Sequence, residues 1–513
     1  MTNSVAVTLR RNVRKTTARL FKTAASLFIS VILASCGGDD EGGSNNNPPP
    51  SAQVTLNVTG LRNGQQLTLT NNGNDQITVS RNGSVAFAKT IAVNAPYSVT
   101  LATAPTAQTC TINGGTGTVA SDQPIVVNVS CGPTILHSFD NFNVEPNVGS
   151  SPLIMLASDG NVYGTTQAGG TYGFGTLFVM TPAGVVTELH QFAGGDTDGA
   201  QPSAKLIEGS DGILYGTTSS GGPLNRGTIF KITPGGAYTQ LYAFGDTSDP
   251  TDVSNGFSPR ELVLFEGELY GTTYYGGLTI NAGRYQLGFG TVFKLTSSNN
   301  LVVLHRFTGT AEGGIYPSSL TASGDGNFYG ITAGDDLDAE GGSVFRITPT
   351  GTMTIVHYFG GFRDSTFTFA DASRPRGPLA LDAAGNIYVT FFTAATSSHA
   401  YGSIYRLSPT GALSLLHSFQ STVPSGAANE GANPTGVIFG TDGNLYGITP
   451  NGGQDFHGTI YSITPTGTFQ LLHSFAGGSS GDTPFSLIQG PAGIFYGTSR
   501  FGGANGAGTI FKF

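Results

Sequence analysis

The chain has 513 residues; only 11% are charged, 76 are glycine, none is tryptophan, and the formal net charge is −9. Charge content far below the usual quarter, with an acidic balance, excludes a nucleic-acid partner, which needs clustered cations. Removing the six cations of residues 1–35 leaves −15.

Residues 1–35 read as a secretory signal. Arg10, Arg11, Arg14, Lys15, Arg19 and Lys22 form a basic start without an acid. The apolar run 24–35 is shorter than the ~20 residues a spanning helix needs. It closes on Leu33-Ala34-Ser35-Cys36, which resembles a bacterial lipobox. That resemblance implies cleavage before Cys36 and acylation of its sulfur. Gly37 in place of an acidic residue implies the outer membrane. Residues 36–52 are polar and of low complexity, cannot bury a core, and are expected to be a flexible tether with a reach of roughly 20–25 Å.

Residues 53–133 read as a separate small β-sandwich of immunoglobulin-like type. Alternating or β-branched runs occur at 54–58, 66–70, 76–80, 85–88, 97–102, 109–112 and 125–129, separated by Gly/Asn turns. Setting Cys36 aside leaves Cys110 and Cys131, and an even remainder in an exported chain reads as a disulfide. It would close a loop of about 20 residues, worth roughly 3 kcal/mol.

Residues 134–513 hold seven variants of one unit. The Tyr of each Y-G-T core, or its Y-V-T variant, falls at Tyr163, Tyr215, Tyr270, Tyr329, Tyr388, Tyr446 and Tyr496. A period of this size signals a propeller or array. Each unit reads as four strands, A to D; in the second unit these are 204–209, 213–219, 227–233 and 239–244. Gly closes every A–B turn, four times as Asp-Gly, and T-P-x-G fills most C–D turns. The array opens on a lone D strand at 134–139 and closes after a C strand at 508–513. Pairing the two would complete the last sheet and remove an open edge. The expected fold is all-β: a seven-bladed β-propeller closed by an N-terminal outer strand, preceded by the sandwich.

Chemistry is less legible. His137, His190, His305, His357, His417 and His473 share one position in strand D, one per unit. A ring would spread them apart, so they read as packing residues rather than metal ligands. Features present in every unit are scaffold, whereas a site needs asymmetry. Variation lies in the D–A and B–C loops, which share one face of a propeller and carry Tyr172, Phe174, Arg226, Tyr274, Tyr275, Arg284, Tyr285, His399, Tyr401, Phe456, His457, Arg500 and Phe501. Exposed aromatics beside acids such as Asp198 suit a glycan or a peptide. No nucleophile motif occurs, so no catalytic residue, cofactor or metal is expected.

The pattern D-G-x-L-Y-G-T-T…G-G…G-T-x-F-K-I-T-P-x-G resembles the GloVer tandem repeat of choice-of-anchor bacterial proteins over residues 134–513. The fifth unit departs, with Tyr388-Val389-Thr390 followed by Phe391-Phe392. The resemblance implies an exported protein whose anchor here would be the lipid on Cys36, and implies no activity. The expectation is a monomeric, lipid-anchored protein of the outer membrane or cell surface that binds a glycan or protein without catalysis. The alternatives are a propeller enzyme acting on polysaccharide and a purely structural surface protein. Two or three carboxylates, or a His–acid pair, at the mouth of the central channel would favour the enzyme.

Overall fold

The computed structural model describes residues 49–139, 152–245, 248–249, 251–278, 288–309, 314–334, 341–359, 373–393, 401–420 and 430–513. Cys36, the signal and most of the tether lie outside them. Pro50–Phe513 forms one compact unit.

The chain first forms β1 (Ser51–Thr59), β2 (Leu67–Asn71), β3 (Asp75–Val79), β4 (Gly83–Ala92), β5 (Pro96–Thr103), β6 (Gln108–Asn113), β7 (Thr116–Thr118) and β8 (Ile125–Ser138). One sheet has the order β4-β1-β8-β6 and a second β3-β2-β5-β7. Alternation along β1 buries Ala52, Val54, Leu56 and Val58 on one side. These residues, except Ala52, share a core with Leu67, Leu69, Phe87 and Val127. Cys110 and Cys131 sit directly opposite each other on β6 and β8 and are disulfide-bonded. The short β7 was not expected from the sequence, because T-G-T carries no apolar alternation.

The boundary expected at 133/134 falls inside a single strand. β8 runs through it without a break. Its first half pairs with β1 and β6, and its second half pairs with the last strand of the chain, Thr509–Lys512.

The repeat units form the rest. Six antiparallel sheets follow in chain order, five of four strands and the second of five because its A strand is split, each pairing A to B, B to C and C to D. The seventh sheet is Asp482–Gln489, Phe495–Phe501 and Thr509–Lys512, with the second half of β8 as its outer strand. Ile135 lies opposite Phe511, and His137 opposite Ile510.

Three devices recur in most of the sheets. The Tyr hydroxyl of the core donates to the Asp of the A–B turn: Tyr163 to Asp159 at 2.8 Å, and Tyr446 to Asp442 at 2.8 Å. The Gly after that Tyr makes room for the aromatic of strand C. A Cβ on Gly216 would lie 2.5 Å from Phe230 Cζ. Two buried hydroxyls join the ends of B and C, as in Thr218–Thr228 at 2.8 Å and Thr449–Thr459 at 2.7 Å. Strand D adds the aromatic layer. His190 stacks on Tyr238 of the next sheet at 4.1 Å, and His417 on Phe469 at 4.0 Å.

The A strands differ from expectation. In the second unit A consists of Gly199–Pro202 and Ile207–Glu208, so it begins earlier than predicted and is interrupted. The cause is a proline in every unit: Pro152, Pro202, Pro259, Pro317, Pro375, Pro434 and Pro484. Proline cannot donate to the ladder, so the register slips beside it. In six units the preceding residue has a positive φ; Gln201, Ser258, Tyr316, Arg374, Asn433 and Thr483 lie between 56° and 62°. Each of these donates its N–H to a carbonyl of the preceding sheet, for example Ser258 to Arg226 at 2.8 Å and Thr483 to His457 at 3.0 Å. The proline then covers the Gly that opens strand C of that sheet. The last sheet meets the first through Thr498 Oγ1, which donates to Pro152 O at 2.7 Å. The arrangement is all-β and propeller-like.

Candidate functional site: the central channel

The register set by the prolines also builds a channel. Each A strand starts at the loop face, and the residue after its proline faces inward. Those residues are Leu153, Ser203, Arg260, Ser318, Arg376, Thr435 and Phe485, and all seven line two overlapping cavities of about 670 and 660 Å³. This volume suits a small organic ligand. The ring is chemically uneven, unlike the repeated scaffold. Arg260, Ser318 and Arg376 stand on three consecutive sheets, while Leu153 and Phe485 stand together across the Thr498–Pro152 joint.

Arg260 is held by ring stacking. Its guanidinium lies 4.7 Å from the Tyr274 ring centre, and Tyr274 stacks on Tyr316 at 4.8 Å and 8°. Burial lowers the pKa of Arg260 from its ordinary value and raises that of Tyr274. Arg260 Nε is buried and has no hydrogen-bond partner among the described residues. The same is true of Ser319 Oγ, on a residue 2% exposed in the same cavity wall. Arg376 lies 5.2 Å from the Phe392 ring.

Among the described residues lining the two cavities the acid is Glu261, and the cations are Lys205, Arg260, Arg374 and Arg376. Burial raises the Glu261 pKa, against the pull of Lys205 and a hydrogen bond from the Leu320 backbone. Among these residues the cations outnumber the acids. The described lining residues include neither paired carboxylates nor a His–acid pair. His–acid pairs do occur elsewhere. His190 meets Asp198 at 3.1 Å and His417 meets Glu430 at 3.1 Å, at equivalent points beside strand D. His457 meets Asp482 at 3.0 Å. Among the described residues, no group of three or more His, Cys, Asp or Glu side chains could hold a metal ion.

The loop residues expected to bind are dispersed. Tyr274 lines the channel. Tyr172 and Phe456 are 57% and 62% exposed, with Phe174 and Phe501 also exposed. Tyr275 stacks on Phe257 at 5.2 Å. Arg226 donates to Asp252 O and ties its B–C loop to the following D–A loop. Arg500 lies 5.4 Å from the Phe501 ring, and Tyr401 packs beside a core cluster. Arg284, Tyr285 and His399 lie outside the described residues. Sequence reasoning missed Arg260, Glu261, Arg376 and Phe485. Aligning the units on their prolines, which stand eleven to thirteen residues before each core Tyr, would have exposed the uneven ring.

Comparison with solved structures gives several likenesses of fold. The chain is 13% identical to a gluconolactonase from Xanthomonas campestris, with a TM-score of 0.36, covering 72% of this chain and 97% of that one. It is 12% identical to regucalcin, a calcium-binding protein from Agrobacterium tumefaciens, at a TM-score of 0.36, covering 74% and 93%. The extracellular domain of a hybrid two-component system from B. thetaiotaomicron gives 13% identity and a TM-score of 0.46. There 77% of this chain spans 43% of that one, less than half its length. No curated protein matches the sequence. A family model, the Gloeobacter/Verrucomicrobia repeat, matches residues 66–285 and 362–513. The match begins inside the small N-terminal sheets, earlier than residue 134, and omits 286–361. On these two stretches the chain belongs to the Gloeobacter/Verrucomicrobia repeat family.

Proposed function

We propose that this is a lipid-anchored, extracytoplasmic binding protein, built as a seven-bladed β-propeller behind a small immunoglobulin-like sandwich at residues 53–133. The propeller takes a small ligand or the end of a glycan in its central channel, without catalysis. The observation that carries this reading is the uneven ring after the seven prolines, set in a scaffold that is otherwise repeated. Binding needs such asymmetry, and the channel offers the room, the aromatic groups and the unpartnered donors for it. The described lining residues hold one carboxylate; this supports binding over glycoside hydrolysis, which uses two. The lipid on Cys36 would hold the protein at the outer membrane or cell surface.

The test is binding of oligosaccharides to the full chain, followed by a search for released product. Ser318→Trp fills the channel at the ring and should abolish binding. Binding that survives this change would place the site on the outer loops, and product release would make the protein an enzyme. Cys36→Ser should move the protein from the membrane fraction to the soluble fraction; continued membrane association would contradict lipidation.

A further inference from the structure

We infer that the ligand is an anion: a carboxylate whose charged group binds between Arg260 and Arg376, and whose body lays an apolar face against Phe485. This rests on the channel reading above and names the chemistry of that same site.

Three observations lead to it. The chain carries a net charge of −9, yet among the described residues the channel lining sets Lys205, Arg260 and Arg376 against Glu261. Such an inversion of sign in a low-dielectric cleft concentrates anions there. Second, Arg260 is fixed before any ligand arrives. Tyr274, backed by Tyr316, holds its guanidinium plane, while Nε stays buried and unpartnered among the described residues. A buried donor without an acceptor is costly, and a carboxylate is the acceptor that matches a guanidinium edge. Ser319 Oγ, also unpartnered, lies in the same wall. Third, the wall opposite the cations is apolar, with Phe485 and Leu153 on adjoining sheets. A body with one polar and one apolar face fits this division. An acidic sugar has it, its ring C–H face against Phe485, and so does an aromatic acid.

Calorimetric titration of the full chain with three probes tests the inference: digalacturonate, its neutral counterpart galactobiose, and ferulate as an aromatic acid. Digalacturonate or ferulate should bind at least tenfold more tightly than galactobiose, and the tighter acid identifies the source. Raising the salt concentration should weaken the acid and leave galactobiose unchanged. Arg260→Gln and Arg376→Gln should each weaken the acid at least tenfold, and Arg500→Gln, on the loop face, should not. Arg376 is exposed within the channel, so its variant separates loss of binding from loss of folding, and melting curves monitor both. Equal affinity for digalacturonate and galactobiose, insensitive to both arginine variants but lost in Ser318→Trp, would overturn the anion and leave the channel reading intact. If none of the probes binds, or if binding persists in Ser318→Trp, both fail.

Discussion

Phe391 shows how one side chain alters a repeated unit. In six units a Thr or Ser at the end of strand B bonds a Thr or Ser at the start of strand C, and in five of them both residues are buried. In the fifth unit Phe391 takes the first place, and Ser403 Oγ is buried without a partner among the described residues. Thr459→Val in the sixth unit should therefore cost about 1–2 kcal/mol, because it breaks a satisfied pair. Ser403→Ala should be neutral or stabilising, since it removes an unmet polar group. Urea midpoints of the two variants check this; equal losses would contradict it. His473 gives a second residue-scale test. Burial pulls its pKa down to about 4, and its Nε2 has no partner among the described residues. The unfolded chain takes up the proton near the ordinary value of 6.5, so the full contribution is present above pH 6.5. It is lost as the pH falls from there towards 4, by about 3 kcal/mol. His473→Gln should flatten that part of the pH dependence of unfolding, and an unchanged acid slope would refute the assignment.

At the level of the element, the joint between sheets carries the fold. Gly227 has φ 97°, and a Cβ there would sit 2.6 Å from Pro259 Cδ and 2.4 Å from Thr218 O. Gly227→Ala meets both objections, a left-handed backbone and backbone contact, and should destabilise by about 2–3 kcal/mol or more. A denaturant curve within 0.5 kcal/mol of the parent would show that the joint is looser than described. The strands themselves were legible, because Y-G-T, Asp-Gly and T-P-x-G are local signals with local causes. The joint was not read, because its parts lie about thirty residues apart: a Gly in one unit and a Pro in the next. The channel followed the joint out of view. Arg260 and Arg376 lie in A strands, and only the proline register shows that they face inward on either side of Ser318. Attention to loop variation instead selected Arg226 and Tyr275, whose contacts are with Asp252 O and the Phe257 ring.

For the whole molecule, β8 is the part that matters most. It is a central strand of the first N-terminal sheet and the outer strand of the seventh repeat sheet. Arg62 strengthens the same junction: its guanidinium lies 4.8 Å from the Phe495 ring and donates to Phe513 O at 2.8 Å. The first N-terminal sheet is thus continuous with the last repeat sheet through β8. A shared strand makes the two parts unfold together and holds in place the wall that carries Phe485. Amide hydrogen exchange on the full chain, with and without digalacturonate, tests this account most directly. The backbone of 134–138 and 509–512 should be as protected as the central strands of the other sheets, and ligand should add protection at 203–205, 260–261 and 376–377. Rapid exchange at 134–138, or ligand protection confined to the outer loops, would contradict it.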